Sequence, residues 1–277
     1  MKTRIITGVI MLIVCLPVII FSGTVLFPAF LSLMCLIGTF ELLKCIRCER
    51  EYYISVPSLV LAVGFPLEVW FIKDKRALVF VTVAVVFVFV IYLMSVTVMM
   101  RGKVRLVDTG FRFTMLMYVI GGFSAAVMLR TLENGEYIFF MVYVVAFFTD
   151  IFAYFTGSFF GRHKLIPEVS PKKTVEGAIG GLIFGSASFA LYGFIIHCIS
   201  GLEPNYLFLC ISGFSVSVIS QFGDLITSLL KREFGIKDFG NILPGHGGIL
   251  DRFDSVLAAA PALLLLCTFD AGIKFFY

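Results

Sequence analysis

The chain has 277 residues, of which 60% are hydrophobic and only 14% are charged, with 32 Phe against a single Trp. This composition excludes an ordinary water-soluble domain, in which charged residues make up about a quarter of the total. The net charge of +4 is too small to indicate a nucleic-acid partner. The high share of hydrophobic residues predicts that a lipid bilayer surrounds the protein.

Apolar residues occur along the chain in blocks of about 20, the length that a helix needs to cross a hydrocarbon core of roughly 30 Å. The first block follows Lys2 and Arg4 and resembles a secretory signal, but no clear cleavage site follows it and further blocks come at once. The sequence therefore predicts an all-α, polytopic integral membrane protein with about nine transmembrane helices. They are expected near Ile5–Ser22, Thr24–Leu43, Ile54–Ile72, Ala77–Val98, Phe113–Leu132, Tyr137–Phe160, Gly177–Ser200, Tyr206–Leu230 and Ile249–Phe269.

The basic residues between these blocks predict an orientation. With nine spans, 17 of the 22 Lys and Arg fall on the side of the N-terminus. Because cytoplasmic loops carry the excess of Lys and Arg, the N-terminus is expected in the cytosol and the C-terminus outside. The five on the opposite side are Lys73, Lys75, Arg76, Arg130 and Lys274.

Two regions follow from the distribution of polar residues. Residues 1–145 hold about five spans joined by short charged turns. Residues 146–277 hold about four spans and the two longest polar connections, 161–176 and 231–248, both on the predicted cytosolic side. Water-soluble ligands would reach these loops, so the second region is predicted to carry the chemistry. No internal repeat is apparent.

Other polar residues carry less information. The seven cysteines lie mostly within apolar blocks and indicate no disulfide framework. Cys45 and Cys48 form one CxxC, but a zinc site would need a second ligand pair. Glu68 is expected to be structural, and the loop bases Arg101, Lys103 and Arg105 are expected to be structural or to attract anionic lipid headgroups.

Asp224 lies within an otherwise apolar run, where an ionised carboxylate would cost about 2.5–3.5 kcal/mol and needs compensation. On a helix, one face would present Asp224, Thr227, Ser228 and Lys231. This stripe is suited to a polar site near the cytosolic end of the span. The alternative is a structural bridge between helices that joins Asp224 to a lysine.

The next segment, KDFGNILPGHGGILDRFD, contains one Pro and several Gly just before the last span. Backbone N–H groups and the helix dipole at that start would favour phosphate oxygens. Asp251 and Asp254 are spaced three residues apart and could share a hard cation such as Mg²⁺. The alternative is a capped helix whose charges mark a membrane edge.

From Ser228 to Asp254 the sequence follows the pattern S-x2-K-R-x4-K-D-x-G-x2-L-P-x-H-G-G-I-x-D-R-F-D. This pattern resembles the signature of the phosphatidate cytidylyltransferases, also called CDP-diacylglycerol synthases, with no departure at any signature position. The stretch from Thr149 to Gly181 also resembles that family's second conserved region. The first five spans resemble the family only in being apolar.

Within this second region, Asp150 lies in a span and a basic loop follows it. Ser170 and Pro171 are interpreted as a helix start, so that Lys172 and Lys173 would enter the next helix. The GxxxG motifs that begin at Gly157, Gly177 and Gly181 are also typical of close helix packing.

The resemblance implies transfer of CMP from CTP to phosphatidic acid, with Mg²⁺ and possibly a second cation, in a homodimer within a membrane rich in anionic lipid. It implies Asp224 and Asp251 as the main metal ligands and Asp254 and Asp150 as weaker ones, with Lys231 and Arg252 also catalytic. The residues expected to contact substrate are Ser228, Arg232, Lys237, His246, Gly247, Gly248, Lys172 and Lys173. For His246, a phosphate contact and a bond that fixes its own loop are equally open.

Two other functions remain open at this stage. An ion-coupled transporter would also place acids within spans, but it predicts two repeat-related halves that the sequence lacks. A CTP-dependent enzyme that acts on an isoprenoid alcohol or an archaeal ether lipid would need the same polar residues. The short chain favours a bacterial cytoplasmic membrane.

Overall fold

The computed structural model describes residues 2–100, 102–268 and 274–277, with side chains described from residue 6 onward. Within these residues every predicted span corresponds to a helix, although Phe269, the predicted end of the last span, and Arg101 lie outside the described residues. The helices are α1 (Lys2–Ile20), α2 (Leu26–Cys45), α3 (Tyr52–Phe71), α4 (Lys75–Met99), α5 (Leu106–Thr131), α6 (Gly135–Phe160), α7 (Val175–Ser200), α8 (Tyr206–Glu233) and α9 (Leu250–Thr268).

Seven of these helices, α2 to α8, are long and apolar enough to cross a membrane. The apolar part of α1 is shorter, and α9 begins with three charged residues in its first five. Large apolar side chains are widely exposed, as at Phe80 (75%) and Phe87 (63%) of α4, and lipid would cover them. The prediction of an all-α polytopic membrane protein is confirmed.

A short antiparallel hairpin between α6 and α7 corrects one local prediction. Strand β1 (Lys164–Ile166) pairs with β2 (Ser170–Thr174), and α7 begins only at Val175. The interpretation of Ser170 and Pro171 as a helix start was therefore wrong. Thr174 is the N-cap instead, because its hydroxyl accepts a hydrogen bond from Gly177 N at 3.1 Å.

The chain divides into two compact units. The first unit comprises residues 1–128 and 238–251, and the second comprises residues 129–237 and 252–277. The units are therefore interleaved along the chain, because the 238–251 segment belongs with the first five helices rather than with its neighbours in sequence.

In the first unit, α2 packs against α1 and α3, and α3 packs against α4. The 238–251 segment reaches this core through Leu250, which is 1% exposed and contacts Gly38 of α2. Phe123 of α5 lies beside the same glycine. Absence of a side chain at Gly38 thus allows the segment to approach α2.

In the second unit, α6, α7 and α8 pack against one another. A Cβ atom at Gly177 would lie 2.6 Å from the carbonyl oxygen of Ala153, so α7 approaches α6 more closely than a larger residue would allow. Thr149 of α6 donates a hydrogen bond to Ser217 of α8 at 3.1 Å. The contact at Gly177 confirms the predicted glycine packing motif between α6 and α7.

Candidate active site

Three carboxylates from three helices lie within one region of the second unit. Asp150 comes from α6, Asp224 from α8 and Asp254 from the first turns of α9. Asp254 interacts electrostatically with both other carboxylates and with Lys231, and Asp150 interacts with Asp224 and Lys173. These three residues are called the acidic cluster below, and the sequence predicted all three.

Lys173 is the direct partner of the acidic cluster. Its Nζ forms an ion pair with a carboxylate oxygen of Asp224, and both side chains are about a quarter exposed, at 28% and 25%. Lys173 therefore reaches Asp224 from a β-strand and not, as the sequence suggested, from a helix. The bridge between Asp224 and a lysine does exist, but the lysine is Lys173, which the spacing on α8 could not indicate.

The hairpin that carries Lys173 is anchored at both ends. Arg232 of α8 donates through Nε to the carbonyl oxygen of Val169 at 3.3 Å. At the other end, Glu176 accepts hydrogen bonds from the backbone N–H groups of Arg162 and His163. These contacts fix the hairpin, whose strand β2 carries the Lys173 that pairs with Asp224.

The predicted polar stripe of α8 is only partly used within the protein. Ser228 donates to the second oxygen of Asp224 across 3.5 Å, and Thr227 donates to the backbone carbonyl of the same residue at 3.1 Å. The side chains of Lys172, Arg232, Lys237 and Arg252 are exposed. They are therefore accessible to a phosphate-bearing ligand.

The donor chemistry of the acidic cluster suits a hard divalent cation. Three carboxylates face two ammonium groups, so negative charge is in excess, and carboxylate oxygens are the protein ligands that Mg²⁺ prefers. Among the described residues, no three His, Cys, Asp or Glu side chains form a closed ligand set. Mg²⁺ in nucleotide enzymes does not need such a set, because it is usually held by one or two carboxylates with phosphate oxygens and water.

In the first unit, the glycine-rich part of the 238–251 segment forms a tight turn. Leu243 N donates to the carbonyl oxygen of Gly247 at 3.0 Å, and His246 N donates back to that of Leu243 at 2.8 Å. Gly245 and Gly247 have φ angles of +80° and +84°, which a residue with a side chain rarely adopts. Within the described residues, the ring Nδ1 of His246 is buried and accepts or donates no hydrogen bond. Its ring therefore does not fix the loop through Nδ1.

Two buried carboxylates hold the end of this segment. One oxygen of Asp251 accepts hydrogen bonds from Phe239 N at 2.8 Å and Gly248 N at 3.0 Å. Glu41 of α2 accepts from Ile249 N at 3.1 Å and from Leu250 N at 3.0 Å, one bond to each oxygen. The side chains are 8% and 3% exposed.

These bonds change the expectation for the start of α9. The sequence suggested that the backbone N–H groups there would bind phosphate. In the structure, the N–H groups of Gly248, Ile249 and Leu250 already bind protein carboxylates. The anion at this helix start is thus Glu41, which satisfies the donors and complements the dipole.

Sequence reasoning missed Glu41 and Ser255. Glu41 is an acid within an apolar block, the same signal that identified Asp224, but it lies far along the chain from the signature. Ser255 donates to Asp150 at 3.3 Å and follows the last signature residue directly. Nothing in the local sequence indicates that contact, because Asp150 is 105 residues away.

The CxxC has the features of a buried structural element. Cys45 and Cys48 are both buried, at 5% and 0% exposed. Burial raises the pKa of Cys48 in the α2–α3 loop to about 11, which keeps the thiol protonated and unreactive at neutral pH.

The predicted site residues therefore lie in two groups. The second unit brings together Asp150, Asp224, Asp254, Lys173 and Lys231, and it also contains Arg232, Arg252 and Ser228. The first unit contains His246, Gly247, Gly248 and Asp251.

Comparison with known proteins adds an independent finding. A sequence model of the cytidylyltransferase family matches residues 2–270. The phosphatidate cytidylyltransferase of Bacillus subtilis (strain 168) is 35% identical over 272 residues, covering 96% of this chain and 97% of that protein. The phosphatidate cytidylyltransferase of Staphylococcus aureus (strain COL) is 34% identical over 278 residues, covering 96% and 98%. That of Staphylococcus saprophyticus is 34% identical over 273 residues, with the same coverage.

Proposed function

The chain belongs to the cytidylyltransferase family, and we propose that it transfers CMP from CTP to the phosphate of phosphatidic acid, forming CDP-diacylglycerol and pyrophosphate. The observation that carries this function is the similarity to phosphatidate cytidylyltransferases over nearly the whole of both chains. The membrane helices suit a substrate and a product that both carry acyl chains.

In this reaction a phosphate oxygen of phosphatidic acid attacks the α-phosphorus of CTP, and the bond from that phosphorus to the β-phosphate oxygen breaks. A phosphate monoester has a second pKa of about 6, so it is mostly dianionic at neutral pH and needs no strong general base. The main barrier is repulsion between two polyanions. Cationic side chains lower this barrier by holding both reactants and the leaving pyrophosphate.

The basic side chains of the second unit are suited to this task. We assign Lys231 and Arg252 to the reacting phosphates, and Arg232, Lys237 and Lys172 to binding of CTP or of the lipid headgroup. Ser228 lies on the same helix as Lys231, one turn earlier. In the first unit, His246 is assigned to a phosphate oxygen, because its ring Nδ1 has no hydrogen-bond partner among the residues that the structure describes. Gly247 and Gly248 shape the turn that presents it.

Mg²⁺ is the proposed cofactor, and when bound it would neutralise phosphate charge and align the reacting groups. Asp224 is the proposed ligand in the acidic cluster, with Asp150 and Asp254 acting directly or through water. Lys173 occupies an oxygen of Asp224 and is the residue that would exchange places with a cation. Asp251 remains a metal ligand predicted from the sequence alone. A second cation is a further expectation from the sequence.

The remaining proposals concern location and assembly. Bacterial relatives and the charge distribution support a bacterial cytoplasmic membrane with the N-terminus in the cytosol and the C-terminus outside. Anionic lipids would then surround the basic loops, and a homodimer is the proposed assembly. Labelling of single cysteines introduced at Lys75 and Lys103 from either side of sealed vesicles tests the orientation, because the two positions should react from opposite sides.

The decisive experiment is a direct assay of the purified protein with CTP labelled at the α-phosphate. The panel of acceptors comprises phosphatidic acid, its archaeal ether-lipid counterpart and an isoprenoid alcohol. We expect labelled lipid only with phosphatidic acid, and no product when Mg²⁺ is chelated. Preferential labelling of another acceptor would reassign the substrate, and absence of any labelled lipid would contradict the function.

A further inference from the structure

Glu41 of α2 is not among the residues that the sequence identified, yet it is hydrogen-bonded to the 238–251 segment. It lies near the end of α2, about 200 residues from the signature, and is 3% exposed. Both oxygens accept a backbone hydrogen bond, from Ile249 and Leu250. A buried carboxylate that accepts only such bonds fixes the position of the backbone that donates them.

The glycines around Glu41 show that this contact is closely fitted. A Cβ atom at Gly240 or at Gly248 would overlap the carboxylate of Glu41. Neither glycine has a positive φ, so the backbone conformation does not itself require glycine at these positions. The carboxylate cannot easily move aside, because it is buried and holds two hydrogen bonds.

Residues of the proposed site lie on both sides of the Glu41 contact in this segment, with His246 before Ile249 and Leu250 and Asp251 after them. Gly248 N donates to Asp251, while the two N–H groups that follow donate to Glu41. His246 and Gly247 lie in the turn just before. A displacement of Ile249 and Leu250 would therefore move the turn and the start of α9 together.

We propose that Glu41 is a positioning residue for cytidylyl transfer, holding the 238–251 segment so that His246 meets the phosphates of CTP. This inference rests on the proposed function and extends it to a residue outside the family signature. Glu41 touches no substrate in this scheme, and it acts through the backbone of Ile249 and Leu250. Partners of this kind typically change activity by about 10–100-fold when they are removed.

The test compares Glu41→Gln and Glu41→Ala with wild type in detergent-solubilised full-length protein. Gln keeps the size but offers an N–H group where one oxygen accepted a bond, so we expect at least about a 10-fold rise in KM for CTP. KM for phosphatidic acid should stay within about twofold, because the lipid is not assigned to this segment. Glu41→Ala should have the larger effect.

A role in folding alone would give a different result. Loss of folded protein lowers the number of active molecules, and kcat then falls while both KM values are unchanged. That result would overturn the proposal. Glu68→Gln is the matched control, since Glu68 is also an acid within a span of the first unit, and it should leave both KM values unchanged.

A second variant tests the geometry without removing a functional group. Gly240→Ala should raise KM for CTP in the wild-type background, because its Cβ displaces the Glu41 carboxylate. In the Glu41→Ala background the same change should add nothing, because the overlap is gone. Gly64→Ala is the control, since a Cβ there meets no atom within 4 Å. Additive effects of the Gly240 and Glu41 substitutions would contradict the proposal.

Amide hydrogen exchange separates this proposal from the proposed function. Peptides covering residues 239–250 should exchange faster in Glu41→Gln, and peptides from α6 should not. If wild type makes no CDP-diacylglycerol, the proposed function and the catalytic role of Glu41 fail together. Faster exchange in Glu41→Gln would then still show that Glu41 holds residues 239–250 in place. If wild type is active while Glu41→Gln retains both normal exchange and a normal KM for CTP, only the positioning role fails.

Discussion

Asp150 and Asp224 in the second unit face the ends of side chains, whereas Glu41 and Asp251 in the first unit face backbone amides. Asp224 pairs with the ammonium of Lys173, and Asp150 accepts from the hydroxyl of Ser255. Glu41 and Asp251 accept four backbone N–H groups between them. A lysine can leave an acid by rotating its side chain, but an amide can leave only if the chain moves. The acids bonded to backbone amides therefore fix structure. Asp224, by contrast, can exchange Lys173 for another cation.

The largest effect is expected at the exchangeable acid. Asp224→Asn removes the charge that would attract Mg²⁺, and we expect CTP-dependent conversion of phosphatidic acid to fall at least about 10²–10³-fold. The measurement is the rate of labelled lipid formation at saturating substrates, with thermal unfolding to show that the protein is folded. A wild-type rate in this variant would contradict the assignment of Asp224.

Asp251→Asn should also lower activity, by on the order of 10²-fold, but through a different physical effect. One oxygen of Asp251 accepts both backbone bonds, so the Asn oxygen can take its place, but both bonds weaken because the acceptor is no longer charged. Residues 239–250 should then exchange their amide hydrogens faster, whereas Asp224→Asn should leave that segment unchanged. Equal exchange in the two variants would remove the distinction between the two kinds of acid.

Lys173→Gln tests the exchange directly. We expect kcat to fall about 10-fold, since a cation near the phosphates is lost. The Mg²⁺ concentration for half-maximal rate should fall as well, because no ammonium then competes for Asp224. Lys164→Gln, on the exposed β1 strand, is the control. A higher Mg²⁺ requirement in Lys173→Gln would show that Lys173 assists cation binding rather than competing with it.

The smallest effect is expected at Ser255. Its hydroxyl makes one 3.3 Å hydrogen bond to Asp150, and a bond of this kind contributes about 0.5–1.5 kcal/mol. Ser255→Ala should therefore change the rate by about threefold, measured in the same assay. A loss as large as that of Asp224→Asn would instead place Ser255 among the catalytic residues.

The helices could be predicted because a bilayer requires long apolar segments, and that requirement is local in sequence. Asp150 and Asp224 could be predicted for a similar reason, since a charge within such a segment is unusual, whereas Asp254 was identified through the signature. The hairpin from Lys164 to Thr174 could not, because two strands of three and five residues leave too little alternation to recognise. Ser170 and Pro171 fit a helix start in isolation, and only the structure shows that Thr174 provides the cap.

Partners could not be predicted where they depend on distant parts of the chain. Lys173 and Asp224 are 51 positions apart, and Glu41 is 208 residues from Ile249. Spacing rules on one helix reach only three or four residues. They left open a bridge between helices from Asp224 to a lysine, but could not identify the β-strand that supplies the lysine.

The interleaving of the two units has a consequence for biosynthesis. Glu41 emerges from the ribosome about 200 residues before Ile249 and Leu250, its hydrogen-bond partners. Translation adds about 5–20 residues per second, so the Glu41 carboxylate lacks its donors for on the order of 10–40 seconds after its own synthesis. The first five helices therefore cannot complete their core during translation, and a chain truncated before residue 249 would leave a buried acid without its donors for as long as it survives.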